Sequence, residues 1–264
     1  MGMIRLAATI CLATAAPAAA QLDDPAAREA RWSEVRRAIF GERAVAVATR
    51  GIAIDAPLRA QDAALVPVTL AITDPAVAAV HLVIDENPSP YAAHLRFGPA
   101  AVRDGVAFRV RVNGYTTMHA VAEHADGRLA AVSRFVKASG GCSAPIEVSD
   151  EEAMAGMGAI RMTFAPAAKY GRVDALVMIR HPNFTGMQMN QVTRLTTPPR
   201  YIERLEVTIA GRSIFALDGD ISLSANPAIG FAFAGKPGDE VTVVATDSAG
   251  ARWEQRFTVP TAAS

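Results

Sequence analysis

One residue stands out as able to do covalent chemistry, a cysteine near the middle of the chain. Cys142 lies in the stretch SGGCSAP, and the other cysteine, Cys11, falls within the first dozen residues. The glycines before Cys142 weaken any strand and its flanks have no apolar periodicity, so we predict an exposed, mobile thiol. The alternative is ordinary, since free cysteine is commonly a small buried hydrophobe. The flexible arm predicted around the thiol consists of Gly140, Gly141 and Ser143.

A cysteine enzyme would also need a base within hydrogen-bond reach of the thiol. Two histidines, His119 and His124, lie on a hairpin that turns at Asp126-Gly127. Symmetric pairing about that turn places both of them away from the thiol. His81 lies in an apolar strand run and His94 in a loop-like stretch, where a structural role is the commoner one. We therefore predict no catalytic residue.

Metal binding is a second kind of chemistry that the residues allow. Met187-Gln188-Met189 near His181 could offer thioether ligands to copper(I). No Met–His spacing repeats, however, and the chain has no zinc-like Cys/His spacing. We expect no metal, and no cofactor other than a sulfur adduct on Cys142.

The N-terminus predicts export. Arg5 precedes a short apolar run, and Ala18 and Ala20 fit a signal-peptidase site, so residues 1–20 read as a signal peptide cleaved after Ala20. The run is too short to cross a bilayer, which predicts a soluble periplasmic protein. With 26 basic and 26 acidic residues in the whole chain and no basic cluster, binding to nucleic acid or to an anionic membrane is not expected.

The elements after the signal peptide predict an all-β protein. The stretch DPAAREARWSEVRRAIFG forms one helix, with Asp24 as its N-cap and Pro25 at its first position. Short β-branched runs separated by Asn-Pro, Asn-Gly and Asp-Gly follow, as in an antiparallel sandwich. A linker at 139–158 contains a short helix that Ser149 would cap.

Seven more strand-like runs follow the linker, which is the number in an immunoglobulin-like sandwich. The predicted fold is therefore two immunoglobulin-like β-sandwich domains in tandem, preceded by an N-terminal helix. The predicted segments are a signal peptide at 1–20, a first domain at 21–138, a linker at 139–158 and a second domain at 159–264. We expect the two domains to pack together in a monomer.

Motifs in both halves resemble a known family. The first half contains VIDENPSP, AFRVRVNGYTTMHAVAEHADGRL and a terminal Gly-Gly-Cys, and the second contains HPNFTGM, PRYIERLEVTIAGRSIF and SANPAIGFAF. In this order they resemble the SoxY and SoxZ sulfur-carrier pair fused head to tail, more specifically the quinoprotein dehydrogenase-associated SoxYZ-like carriers. The resemblance implies that Cys142 carries sulfur intermediates covalently. The family arm runs Gly-Gly-Cys-Gly-Gly to a free end, whereas here Ser143 and Ala144 follow the cysteine and the chain continues.

We therefore predict a carrier that other enzymes act on, and not a catalyst. Its expected partners are periplasmic sulfur-transforming enzymes, or a quinoprotein dehydrogenase and its cytochrome. One alternative is a non-covalent accessory module of a quinoprotein alcohol dehydrogenase. Another is a metal-binding or structural sandwich in which Cys142 is incidental.

Overall fold

A computed structural model of the protein describes residues 24–165 and 171–261. The predicted signal peptide at 1–20 lies outside these residues. Within them, no helix is both long and apolar enough to span a membrane. The predicted N-terminal helix is confirmed as α1, Pro25–Phe40, where the Asp24 side chain accepts a hydrogen bond from the amide of Ala26 at 3.0 Å.

Most of the described chain is β-strand, arranged in two sheets. The strands are β1 Val45–Val47, β2 Ile52–Asp55, β3 Val66–Ile72, β4 Val77–Ile84, β5 Tyr91–Phe97, β6 Ala101–Val110, β7 Thr116–His124, β8 Leu129–Val136, β9 Ile160–Phe164, β10 Arg172–Ile179, β11 Ile202–Ile209, β12 Arg212–Gly219, β13 Ala228–Ala234, β14 Glu240–Asp247 and β15 Arg252–Thr258. A nine-stranded sheet has the order β1-β8-β7-β4-β5-β12-β11-β14-β15. A six-stranded sheet has the order β2-β3-β6-β13-β10-β9.

The two halves of the chain meet edge to edge, and both sheets run through the junction. β5 pairs with β12 in the larger sheet and β6 pairs with β13 in the smaller one. Each half is thus a two-layer sandwich of its own, and the all-β prediction is confirmed. One hydrophobic core, which includes Leu70, Phe215 and Phe233, continues between the sheets from one half into the other. The predicted domain boundaries stay a prediction.

Helix α1 covers the outer face of the larger sheet. Its buried residues Trp32, Val35 and Phe40 pack against Val83 and Val121, which lie on neighbouring strands. This second, smaller cluster exists because apolar side chains on the outer face of a central strand need cover from water.

Two expectations about the first half were wrong. His94 lies in β5 and not in a loop. Symmetric pairing about Asp126-Gly127 would place His119 opposite Arg134, but the register differs by one residue and His119 faces Ser133. The cause is a three-residue turn in which Gly127 has φ +85°, where a two-residue turn was assumed.

The linker contains the expected short helix, α2, Asp150–Met154. Ser149 caps it, since its hydroxyl accepts a hydrogen bond from the amide of Glu152 at 3.2 Å. The residues before this helix do not extend into solvent as a free arm. Ile146 lies beside Asn190 of the second half in a parallel bridge.

Candidate functional site

Cys142 lies in a tight turn that follows β8 and is bonded to the end of the first sandwich. The amide of Gly140 donates to the carbonyl of Asn113 at 3.0 Å, and that of Gly141 donates to Val112 at 2.9 Å. The amide of Ser143 then donates back to the carbonyl of Gly140 at 3.2 Å. The predicted flexible arm of Gly140, Gly141 and Ser143 is therefore an ordered turn in this structure.

The two glycines serve different purposes in this turn. Gly140 has φ +81°, a conformation that residues with a Cβ adopt only at a cost. Gly141 instead permits close packing, since an added Cβ would lie 2.0 Å from the carbonyl oxygen of Ala63 and 2.8 Å from that of Val112. The Gly-Gly pair therefore fixes a conformation in this structure, and the predicted mobility of the segment stays a prediction.

The second half of the chain holds the turn from the other side. The hydroxyl of Thr185 donates to the carbonyl of Cys142 at 2.6 Å, and the side-chain amide of Gln188 donates to that of Ala144 at 3.2 Å. Further along, the amide of Ile146 donates to the carbonyl of Met189 at 3.2 Å. The cysteine thus lies at the junction of the halves, under residues that sequence reasoning had not assigned to the site.

The thiol itself is buried, which corrects the expectation of an exposed one. Cys142 has 0% exposure, although Gly140 and Ser143 on either side are exposed. Burial raises the pKa of the thiol to about 11, and the positive charge of Arg111 offsets only part of that rise. Because the thiolate is the reactive form of cysteine, Cys142 is protonated and unreactive in this conformation near neutral pH.

Arg111 is the buried charge that acts on the thiol, and it joins the two halves. Its guanidinium donates to the carbonyls of Leu223 at 2.7 Å, Asn183 at 2.8 Å and Pro182 at 3.1 Å. Burial lowers its pKa to about 10, and its Nε has no hydrogen-bond partner within residues 24–165 and 171–261. The sequence contained no local signal for this residue, because Arg111 continues the alternation of apolar and polar residues over residues 108–112.

Asn87, from the Asn-Pro motif of the first half, fixes the backbone on which the turn rests. Its side-chain amide donates to the carbonyl of Arg111 at 2.8 Å and to the hydroxyl of Ser222 at 2.9 Å. Its side-chain oxygen accepts the amide of Asn113 at 2.9 Å. One buried side chain therefore connects the segment behind the cysteine to the second half.

The histidines considered as bases for Cys142 have other partners. His119 Nε2 lies 3.1 Å from Asp85 Oδ2, and its ring stacks on Trp32. His124 Nε2 lies 3.2 Å from Asp74 Oδ2. These contacts position the rings within the first sandwich and give no support to a cysteine–histidine pair.

The thioether copper site considered from the sequence is also unsupported. His181 is fully buried, and its Nδ1 accepts the amide of Asn183 at 3.0 Å. Met189, by contrast, is about half exposed. The imidazole is therefore buried and bonded to the backbone, whereas the methionine lies at the surface.

A different histidine pair is brought together on the outer face of the larger sheet. His81 on β4, His94 on β5 and Glu123 on β7 place their ligand atoms within 4.8 Å of one another. His81 Nε2 lies 3.0 Å from Glu123 Oε2, and His94 Nε2 lies 4.0 Å from it. Sequence reasoning missed this cluster because it assigned His94 to a loop.

Comparisons with known proteins match both halves of the chain. A SoxY sulfur oxidation protein family matches residues 36–142, and a SoxZ sulphur oxidation protein family matches residues 160–258. The sulfur carrier protein SoxY from Chlorobium limicola f thiosulfatophilum is 27% identical, with a TM-score of 0.37 over 42% of this chain and 94% of that one. None of the curated proteins searched matches the chain.

Two other solved structures match the chain at low identity and low TM-score. A beta-glycosidase from Bacteroides vulgatus is 9% identical with a TM-score of 0.23, over 79% of this chain and 24% of that one. The BSP domain of a biofilm associated protein is 8% identical with a TM-score of 0.25, over 81% of this chain and 30% of that one. The two family matches, in contrast, lie in tandem and leave only short segments unmatched. The chain therefore belongs to the SoxYZ-like sulfur carriers, with a SoxY domain and a SoxZ domain fused in one polypeptide.

Proposed function

We propose that this protein carries a sulfur intermediate covalently on Cys142 and passes it between partner enzymes. The observation that carries the proposal is the position of the thiol. The SoxY match ends at residue 142, and Cys142 is the only cysteine apart from Cys11. It lies where the SoxY domain meets residues of the SoxZ domain, so both domains contribute to its surroundings.

Loading and unloading are thiol exchange reactions. The Cys142 thiolate attacks the sulfane sulfur of a donor that contains a sulfur–sulfur bond. A new bond forms to Cys142 Sγ, the donor bond breaks, and the donor leaves as a thiolate or sulfite that accepts the proton Cys142 has lost. No net oxidation occurs, and the product on the protein is a persulfide or a thiosulfonate. A partner thiolate removes the sulfur by the same exchange.

The buried position of the thiol adds a step to this cycle. The thiol has to leave its pocket before a donor can reach it, and an attached sulfur group has to be accommodated outside. The bonds from Thr185 and Gln188 must then break, at a cost of about 0.5–1.5 kcal/mol each. The turn is thus a closed state, and the carrier works through a minor open state.

The location and the partners complete the proposal. We place the mature protein in the periplasm, on the strength of the signal sequence at 1–20. Its partners would be periplasmic sulfur-transforming enzymes, or a quinoprotein dehydrogenase and its cytochrome. The protein would itself be inert towards thiosulfate and alcohols. His119 and His124, the histidines considered as bases, are paired with Asp85 and Asp74 and not with Cys142.

Mass spectrometry of protein isolated from its native periplasm tests the proposal. We expect a fraction with the mass increment of a persulfide or thiosulfonate on the peptide that contains Gly141-Cys142-Ser143, removed by reductant. Cys142→Ser is the matched control and should lack the increment. Free thiol alone under every growth condition, together with full complementation of a deletion strain by Cys142→Ser, would refute the carrier function.

A further inference from the structure

The cluster of His81, His94 and Glu123 is unrelated to the cysteine and has the composition of a metal site. The three side chains come from adjacent strands, since β4 pairs with β5 on one side and with β7 on the other. His81 lies directly opposite His94 in the pairing of β4 with β5. We propose that His81 Nε2, His94 Nε2 and Glu123 Oε2 bind one divalent cation of the zinc or cobalt class.

The spacing of the three atoms is close to what such a cation requires. Tetrahedral coordination at about 2.0–2.1 Å places neighbouring ligand atoms about 3.3 Å apart. Glu123 Oε2 already lies 3.0 Å from His81 Nε2 and 4.0 Å from His94 Nε2. All three ligand atoms lie within 4.8 Å of one another, so the spacing must close by up to about 1.5 Å. The His81 and His94 rings stack at an interplanar angle of 10°, so at least one ring must also rotate to bring both nitrogens onto one cation.

The other ring nitrogen of His81 and the other oxygen of Glu123 have partners that suit ligation. His81 Nδ1 lies 2.9 Å from the hydroxyl of Tyr91, which can accept its proton and leave Nε2 free for a metal. Glu123 Oε1 accepts a hydrogen bond from Arg43 at 2.6 Å. Contacts of this kind orient the ligands of metal sites in proteins.

His94 carries the strongest indication of a missing partner. Arg96 donates to His94 Nδ1 at 2.8 Å, so the ring proton of the neutral imidazole must be on Nε2. That Nε2 is a buried atom without a hydrogen-bond partner among the described residues. A cation would replace this proton and the proton would move to Nδ1, so Arg96 would have to release Nδ1 and keep its bonds to Asp218 at 2.6 and 3.1 Å.

The surroundings favour neutral imidazoles, which is the form that binds metals. The His81 and His94 rings stack at 4.1 Å, and Phe40 from the end of α1 lies edge-on to His81. Burial is the main reason that the pKa of His81 is lowered and that of His94 falls to about 4. Two nitrogens and one carboxylate oxygen suit zinc or cobalt(II) better than copper(I) or magnesium.

The charges around the cluster limit the affinity. Arg43 and Arg96 neutralise Glu123 and Asp218, so the cation would add its own charge to a balanced site. We therefore expect weaker binding than in closed structural zinc sites, which have four charged or imidazole ligands.

Titration of the mature full-length protein, freed of any affinity tag, tests the proposal. Cobalt(II) is the probe, because its visible absorption reports coordination, and zinc is used as the competitor. The titrations use the Cys142→Ser background so that no thiolate contributes. One bound cobalt per chain is expected, displaced by zinc. Affinity should fall at least about 100-fold in His94→Gln and in Glu123→Gln, whereas His124→Gln should bind as the parent does.

Thermal unfolding provides the second measurement. Zinc should raise the melting temperature of the parent and of His124→Gln, and leave that of His94→Gln unchanged. Should His94→Gln fail to fold, Glu123→Gln carries the same comparison. Absence of cobalt binding by the parent would overturn the site, and so would equal binding by the parent, His94→Gln and Glu123→Gln.

Discussion

Replacing the two glycines before the cysteine one at a time should show whether close packing, at Gly141, or backbone conformation, at Gly140, contributes more to keeping the turn closed. In Gly141→Ala the new methyl would lie 2.0 Å from a backbone oxygen of Ala63, which cannot rotate away. Overpacking of this kind costs about 1–3 kcal/mol, and the loss of the bond from the Gly141 amide adds about 1 kcal/mol. Gly140→Ala meets nothing within 4 Å and only has to hold φ near +81°, at about 1–2 kcal/mol.

The assay is the rate at which a thiol reagent modifies Cys142 in the folded protein, divided by the rate in denaturant. If opening is rapid and local, this ratio follows the open population. We expect increases over the wild type of about 30-fold or more for Gly141→Ala and about 5- to 30-fold for Gly140→Ala. A weak dependence of the rate on low denaturant concentrations would show that the opening is local.

The reasoning would be refuted by a Gly141→Ala protein that labels as slowly as the wild type and melts at the same temperature. It would equally be refuted if Gly140→Ala labelled faster than Gly141→Ala. Rapid labelling of the wild type itself, at the rate of the denatured chain, would show that the closed turn is not the dominant state in solution.

Four further predictions concern Thr185, Arg111, the pH dependence of stability and the export signal. Thr185→Val removes the hydroxyl bonded to Cys142 at nearly constant volume and should speed labelling about 2- to 10-fold, with Thr208→Val, in a strand away from the turn, as the control. Lysine in place of Arg111 cannot donate to as many carbonyls at the junction, so Arg111→Lys should lower the free energy of unfolding by about 3 kcal/mol in a denaturant titration. Arg109 lies on the exposed face, and Arg109→Lys should leave the free energy of unfolding nearly unchanged. Burial raises the pKa of Cys142 from 9.0 to about 11, so between these pH values the folded state keeps a proton that the unfolded chain releases. The free energy of unfolding should therefore fall by up to about 3 kcal/mol between pH 9 and 11. This part of the fall should be missing in Cys142→Ala. N-terminal sequencing of protein from the periplasm should begin at Gln21, and a chain that retains Met1 would contradict the export signal.

Most strands could be predicted because alternation of apolar and polar residues is a local property. The run from Val66 to Ile72 alternates strictly between buried and exposed, and β10 and β14 alternate in the same regular way. β5 was missed since Tyr91, His94 and Arg96 interrupt its apolar residues and a Pro-rich turn precedes it. The pairing of β5 with β12 could not be predicted, because it depends on contacts between distant segments that periodicity does not encode.

The role of Cys142 stays a prediction, whereas the exposure predicted for its thiol was wrong. Cys142 was identified from its neighbours, but the same glycines that indicate flexibility also permit the closest approach of two backbones. Which of these applies depends on the position of the Ala63 carbonyl, far away in sequence. Arg111 and Thr185 lie in two of the quoted family motifs but were missed for the same reason, because a motif does not show which distant segment its side chains contact.

The fusion of the two domains has a consequence for how a carrier of this kind would be controlled. The residues that hold the turn closed, Thr185 and Gln188, belong to the SoxZ half, whereas the thiol belongs to the SoxY half. A partner that binds the SoxZ half near these side chains could therefore favour the open state without contact with the thiol. If opening costs about 3 kcal/mol, fewer than about 1% of molecules are open at a given time. A partner that binds the open state about 100-fold more tightly than the closed state then makes the populations of the two states similar. The same contacts between the halves would then keep the unloaded thiol buried in the free protein and let it become exposed when that partner binds.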